Sequence, residues 1–196
     1  MATLGWIREL LQRRQVPFEE VHHEPVFTAQ ELAHSEHVSG HRVAKVVMVW
    51  ADGRLVELVL PASRQVVFGE LRSLLDAEEL RLATEAEMQA AFSDCEPGTV
   101  PPLPRRPDIT VLLDESLATD GSILFQAGTH RDAIKLDFAD WLKVVNPRIE
   151  SFSEPTGARH EELLPPEDLE RRPSKALSPA SEAELEELMA ANEAAS

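Results

Sequence analysis

Residues 42–63 read "RVAKVVMVWADGRLVELVLPAS". Two β-branched, apolar runs flank Asp52-Gly53, a dipeptide suited to the tight turn of a β-hairpin. The stretch therefore predicts two adjacent antiparallel strands. Its anomaly is Lys45, a cation inside a run otherwise fit for a buried strand. An ammonium there costs free energy unless it meets a partner or a ligand. The alternative is an edge strand whose lysine snorkels to solvent, and both readings stand. The chain has four lysines against fifteen arginines, so Lys45 does not read as filler.

Outward from the hairpin, helical and strand-like segments alternate irregularly. Leu4, Ile7, Leu10 and Leu11 form one stripe of an N-terminal amphipathic helix, which is not patterned as a signal peptide. "VPFEEVHH" (16–23) is strand-like. Thr28 and Glu31 stand in capping-box spacing at the start of a helix expected to run to about Gly40, and Thr84 and Glu87 repeat the pattern. The second half of "VVFGELRSLLDAEEL" (66–80) is helical. "DITVLLDES" (108–116), "SILFQAG" (122–128) and "AIKL" (133–136) are strand candidates, and Asp137 caps a short helix in "DFADWLKVV". Past Phe152 the composition turns to Pro, Glu, Ser and Ala. The expected organisation is one α/β domain with a mixed sheet over 1–152, then an acidic tail over 153–196 with one helix-prone stretch at 181–192.

The 196-residue chain has a net charge of −16. Residues 1–150 hold 15 basic and 24 acidic side chains, and residues 151–196 hold 4 and 11. This argues against broad, nonspecific grip on nucleic acid and leaves a small local site as the way to hold a polyanion. No apolar run reaches a membrane span. A single cysteine permits no internal disulfide and fits a reducing cytoplasm.

Several constellations carry candidate chemistry. "CEPGTVPP" (95–102) puts one glycine and three prolines after a helical segment, either as a linker or as a stiff loop offering its backbone to a ligand. "QAGTHRDAIKL" (126–136) sets Gly128, Thr129 and His130 at a strand end, as a polar site or a plain turn. His34, His37 and His41 lie close together, with His34 and His37 expected on one helix face, but no ligand pattern supports zinc. Asp114 and Glu115 read as the end of a strand rather than an acid–base pair. A nucleophile elbow, a phosphate-binding glycine loop and a dinucleotide fingerprint are absent.

The ordered set "TAQELA", "VAKVVMVW", "LPAS", "RLATEAEM", "CEPGTVPP", "LDESL" and "FQAGTHRDAIKL" resembles the YbaK family, which shares its fold with the editing domain of bacterial prolyl-tRNA synthetases. The resemblance covers roughly residues 20–150. It implies an α/β, α+β-like fold with a mixed, partly barrel-like sheet and surrounding helices. It implies a hydrolase, an aminoacyl-tRNA deacylase that removes a small non-cognate amino acid from the tRNA 3′ end, with water as nucleophile. A non-catalytic binding module that keeps the fold is the alternative.

By the resemblance, Lys45 matches the family lysine, Gly98 to Pro102 its glycine-x-x-x-proline loop, and Gly128, Thr129 and His130 a segment found in some members. Lys45, Gly98 and His130 are thus the expected catalytic residues. Thr28, Thr99, Val100, Pro101, Pro102, Gly128 and Thr129 are the expected substrate-binding residues. No metal or other cofactor is implied. The expected partner is mischarged tRNA, with a synthetase as an open second one and neither DNA nor a membrane. Two departures bear on substrate identity: Val46 and Val47 follow the lysine where many members have threonine or asparagine, and Pro104 stands where many have glycine.

Overall fold

The computed structural model describes residues 2–157 apart from 106, 118 and 119, with side chains from residue 5 onward. In chain order the elements are α1 (Ala2–Arg13), β1 (Phe18–His22), α2 (Ala29–Ser35), β2 (Ala44–Ala51), β3 (Arg54–Pro61), β4 (Arg64–Val66), α3 (Phe68–Leu75), β5 (Leu80–Leu82), α4 (Glu85–Ala91), β6 (Thr110–Asp114), β7 (Ser122–Gln126), β8 (Asp132–Asp137), α5 (Phe138–Val145), β9 (Arg148–Glu150) and β10 (Ser153–Pro155). The helix-prone stretch expected at 181–192 lies outside the described residues.

The β2–β3 hairpin forms as its sequence dictates. Asp52 and Gly53 both take positive φ, 47° and 74°, the pair of left-handed residues that a two-residue turn needs to match strand twist. Pairing runs from Ala51↔Arg54 to Ala44↔Pro61. Around it lies a five-stranded sheet ordered β5-β2-β3-β6-β9, antiparallel at β5-β2-β3 and parallel at β3-β6-β9. A second, antiparallel sheet is ordered β1-β8-β7. One parallel bridge, Val43↔Leu124, joins the two sheets just ahead of β2. The fold is thus mixed α/β, with this bridge linking the two sheets.

Packing follows the apolar stripes. Ile7 and Leu11 of α1 and Phe138 and Trp141 of α5 cover Phe125, Ile134 and Leu136 in one core. Leu71 of α3 packs on the other face of the large sheet, over Leu58, Leu60, Leu112 and Phe152. Leu32 and Ala33 seat α2 against Val43 and Leu124, at the bridge between the sheets.

Three expectations are corrected. First, α2 stops at Ser35, not near Gly40. His37 turns left-handed with φ 53°, Val38 N–H donates to Ala33 O at 2.9 Å and His37 N–H to His34 O at 3.2 Å. This double bond pattern closes a helix, and the buried-side valine anchors it. His37 is therefore off the helix and shares no face with His34, while His41 Nδ1 sits 3.2 Å from Ser63 Oγ. Second, α3 covers Phe68–Leu75, earlier than the second half of 66–80, because Asp76 takes the left-handed conformation and ends it.

Third, structure continues past 152. β10 pairs with β4 from Ser153↔Val66 to Pro155↔Arg64, Arg64 Nε donates to Ser153 Oγ at 2.8 Å, and Thr156 N–H donates to Ser63 O at 2.9 Å. Pro155 tolerates this place because the strand is an edge. Ending the chain at residue 152 should therefore cost on the order of 1–2 kcal/mol relative to ending it at residue 157, through the lost bonds to Arg64 and Ser63. Urea unfolding of the two truncations checks this; equal midpoints would contradict it.

Glu57 stands in the middle of β3, opposite Met48 of β2 and Val111 of β6. It is buried, and its Oε1 has no hydrogen-bond partner. Burial pushes the carboxyl from its ordinary 4.5 up to about 8. The folded state thus holds a proton that the unfolded chain releases. The linkage sign is negative: stability is full below about pH 4.5 and falls as pH rises toward about 8. The cost at the upper end is on the order of a few kcal/mol. Glu57→Gln should flatten this slope, so its melting temperature gains on wild type between pH 5 and pH 8.5. Parallel Tm–pH curves would refute it.

Candidate functional site

Lys45 decides the location of the site. β2 is an inner strand only at its far end, where β5 pairs with Val49–Ala51. Between the Val43↔Leu124 bridge and Val49 no strand among the described residues covers its outer edge. The chain thus satisfies both readings of the lysine: an inner strand whose edge is locally open. Lys45 is half-buried there. Desolvation lowers its pKa, and no hydrogen bond or ion pair engages its ammonium among the described residues.

A cleft of about 210 Å³ lies along this open edge, lined by Thr28, Gln30, Lys45, Val46, Gly98, Val100 and Gln126 among others. A second, apolar compartment of about 350 Å³ is lined by Met48, Met88, Phe92 and Cys95 and shares Val46, Gly98 and Val100 with the first. Lys45 is the single cation lining either one among the described residues. The two compartments meet over the Gly98 loop.

The sequence of that loop explains its shape. Gly98 is exposed, with φ 82°, and a Cβ built on it would meet nothing within 4 Å. Thr99 is buried beneath it: its N–H and hydroxyl both donate to Glu96 O, at 3.1 and 2.8 Å. Pro101 and Pro102 are buried, and Pro102 O accepts from the core indole Trp141 Nε1 at 2.7 Å. The loop is thus clamped from below, while Gly98 faces the cleft. Neither Gly98 N–H nor Val100 N–H donates to any group among the described residues, and both residues line the cleft.

The Gly128–His130 segment closes on the same loop. Glu96 N–H donates to Gly128 O and Gly128 N–H to Thr99 O, both at 2.9 Å, and His130 N–H donates to Glu96 Oε2 at 2.6 Å. Thr129 Oγ1 is bonded to Asp132 Oδ2 at 2.6 Å and accepts from the N–H groups of Arg131 and Asp132, so it builds the turn. His130 Nδ1 lies 3.1 Å from Val26 O. A carbonyl only accepts, so Nδ1 donates in this contact, and Nε2 lies 3.9 Å from Glu96 Oε2. His130 is bonded to Glu96 of the loop but lines neither compartment.

Thr28 caps α2, its hydroxyl accepting from Glu31 N–H at 3.1 Å, and it lines the cleft. The structure therefore gathers Thr28, Lys45, Gly98 and Val100 around one space. Thr99, Pro101, Pro102, Gly128 and Thr129 form the support for it. Gln126, buried with its Nε2 donating to Val26 O at 3.1 Å, lines the cleft and was missed. The signal for it was the one that found Lys45, a polar residue in an apolar strand run. Asp114 lies elsewhere: buried, it accepts from Ser116 and from Phe152 N–H at 3.0 Å, tying β6 to the chain before β10. Among the described residues no three His, Cys, Asp or Glu side chains come together as a metal-holding group.

The family model described as "Aminoacyl-tRNA editing domain" matches residues 23–144, and the chain belongs to that family. It is 27% identical over 143 residues to a proline--tRNA ligase of Leuconostoc citreum (strain KM20), covering 73% of this chain and 24% of the relative. It is 30% identical over 132 residues to a proline--tRNA ligase of Bacillus subtilis (strain 168), covering 62% and 23%. The chain thus spans about a quarter of the length of these relatives. A solved structure of a candidate trans-editing enzyme for prolyl tRNA synthetase matches its fold with TM-score 0.67 at 18% identity, over 79% of this chain and 98% of that one. Among the described residues no helix is long and apolar enough to cross a membrane.

Proposed function

We propose that this domain acts in trans as a deacylase of mischarged aminoacyl-tRNA, hydrolysing the ester at the tRNA 3′ end. The observation that carries the reading is the half-buried Lys45 ammonium, without a partner among the described residues, in one cleft with the exposed Gly98 backbone. A partly desolvated cation without a partner is poised for an anionic ligand, and the 3′-terminal phosphate supplies one. The N–H groups of Gly98 and Val100 are the donors available to the ester carbonyl as negative charge develops on its oxygen. Pro101 and Pro102 restrict the loop in advance, so little ordering remains when substrate binds.

Water is the nucleophile in this reading. Cys95 lines the apolar compartment, but burial, with Asp94 beside it, pushes its thiol up to about 11. A protonated thiol is a poor nucleophile at neutral pH. An aminoacyl ester is already reactive, so positioning it and stabilising the oxyanion supply the catalysis required. The acid component leaves as the free amino acid and the ribose hydroxyl regains its proton. The apolar wall formed by Val46, Val100 and Met88 favours a side chain that is small and carries no charge.

The experiment is deacylation of a panel of tRNAs charged with alanine, serine, threonine, cysteine and their cognate amino acids. Hydrolysis of at least one mischarged member, above the spontaneous rate, is expected. A folded protein that leaves every ester intact while still binding tRNA would make it a non-catalytic module.

A further inference from the structure

Phe27 is the most exposed large apolar side chain among the described residues, at 67%, yet its backbone is fixed from both sides. Its N–H donates to Glu31 Oε2 at 2.7 Å, within the capping box of α2. The preceding Val26 O accepts from Gln126 Nε2 and faces His130 Nδ1, each at 3.1 Å, and Val26 N–H donates to His130 O at 2.9 Å. The phenyl ring packs on the His130 imidazole with centroids 4.7 Å apart and planes at 45°. One side of the ring is therefore backed, and the rest is open.

Its position is next to the site. Thr28, the following residue, lines the Lys45 cleft, and His130 is bonded to Glu96, which lines the apolar compartment. Charge makes a non-ionic contact necessary here. With a net charge of −16 and Lys45 the single cation lining the two compartments among the described residues, phosphate contacts cannot supply much affinity for a nucleic-acid end. Base–aromatic stacking can, since it needs no charge.

We propose that Phe27, backed by His130, is the stacking platform for the 3′-terminal base of the tRNA, an adenine in every tRNA. The inference rests on the proposed function and names how that substrate is held. The His130 ring then acts as a positioning residue through Phe27, which gives the histidine a use although it lines neither compartment.

The test is equilibrium binding of the full chain to an uncharged acceptor-stem minihelix ending in CCA, and to the same minihelix with the terminal base removed and its ribose kept. Phe27→Ala and Phe27→Leu should weaken binding to the intact minihelix about tenfold, and Phe27→Trp should not. On the base-less minihelix all four proteins should bind alike, and wild type should show a shallow dependence on salt. In hydrolysis, Phe27→Ala should raise KM with kcat little changed. Equal affinity of wild type and Phe27→Ala for the intact minihelix, or the same loss on the base-less one, overturns the platform. So does a change of oligomeric state in Phe27→Ala with binding retained, which would assign the ring to a contact between copies. A protein that binds with Phe27 dependence but hydrolyses no ester loses the deacylase reading alone. One that hydrolyses with KM unchanged in Phe27→Ala loses the platform alone, and absence of binding by wild type overturns both.

Discussion

Lys45→Ala is expected to lower single-turnover hydrolysis of a mischarged tRNA on the order of 10²-fold or more, the loss that follows when the anchor positioning the ester is removed. The fold should not suffer. The ammonium is half-buried and engages no partner among the described residues, and its pKa is lowered by desolvation, so the charge is a burden on the unliganded domain rather than a support. Removing an uncompensated, partly buried charge is neutral or stabilising. The melting temperature of Lys45→Ala should therefore equal or exceed that of wild type. Lys45→Arg is not a conservative control, because a planar fork replaces a point charge in a cleft of about 210 Å³. It should recover only part of the rate. Near-normal hydrolysis by a well-folded Lys45→Ala protein would remove the lysine from the mechanism.

The second large effect is expected at Gly98. A methyl there meets no atom within 4 Å, so packing is not the issue. The backbone conformation, φ 82°, adds strain on the order of 1 kcal/mol for a residue with a Cβ, a shift of a few degrees in Tm. The rate should fall much further, on the order of 10²–10³-fold, because the methyl projects where the ester carbonyl must approach the loop N–H groups. Pro102→Ala is the informative comparison. Its carbonyl bond to Trp141 Nε1 survives the change, and only stiffness is lost, so its rate should lie between those of wild type and Gly98→Ala. Wild-type hydrolysis by Gly98→Ala would return the loop to the role of a connector.

The parts of this protein that could be read from its residues are the parts whose causes are local. The Asp52-Gly53 turn, the Thr28/Glu31 and Thr84/Glu87 capping boxes and the Asp137 cap each involve groups a few residues apart, and each appears as expected. The buried stripe of Ile7 and Leu11 follows from helical spacing alone. The ordered motifs point to the editing family, and the family match agrees.

Other features exist only through distant partners. β5, β9 and β10 are short, and each is a strand only because β2, β6 or β4 lies beside it. No propensity in three residues could announce that. The tie between Asp114 and Phe152 N–H, which holds the chain in place ahead of β10, crosses from one element to another with no local signal.

The same division runs through the site. The amino-acid sequence by itself determined which groups are available: a lysine in an apolar strand, a glycine followed by two prolines, and a histidine after a glycine turn. Tertiary structure alone decided that β5 stops pairing at Val49, which leaves the edge beside Lys45 open. It also set Gly98 against that edge by clamping its loop to Trp141 and Gly128, and left Phe27 exposed on His130. The physical reason is range: turns and caps are settled by hydrogen bonds within a few residues, whereas a cleft is the space left over when strands far apart in sequence pair and side chains of several elements pack.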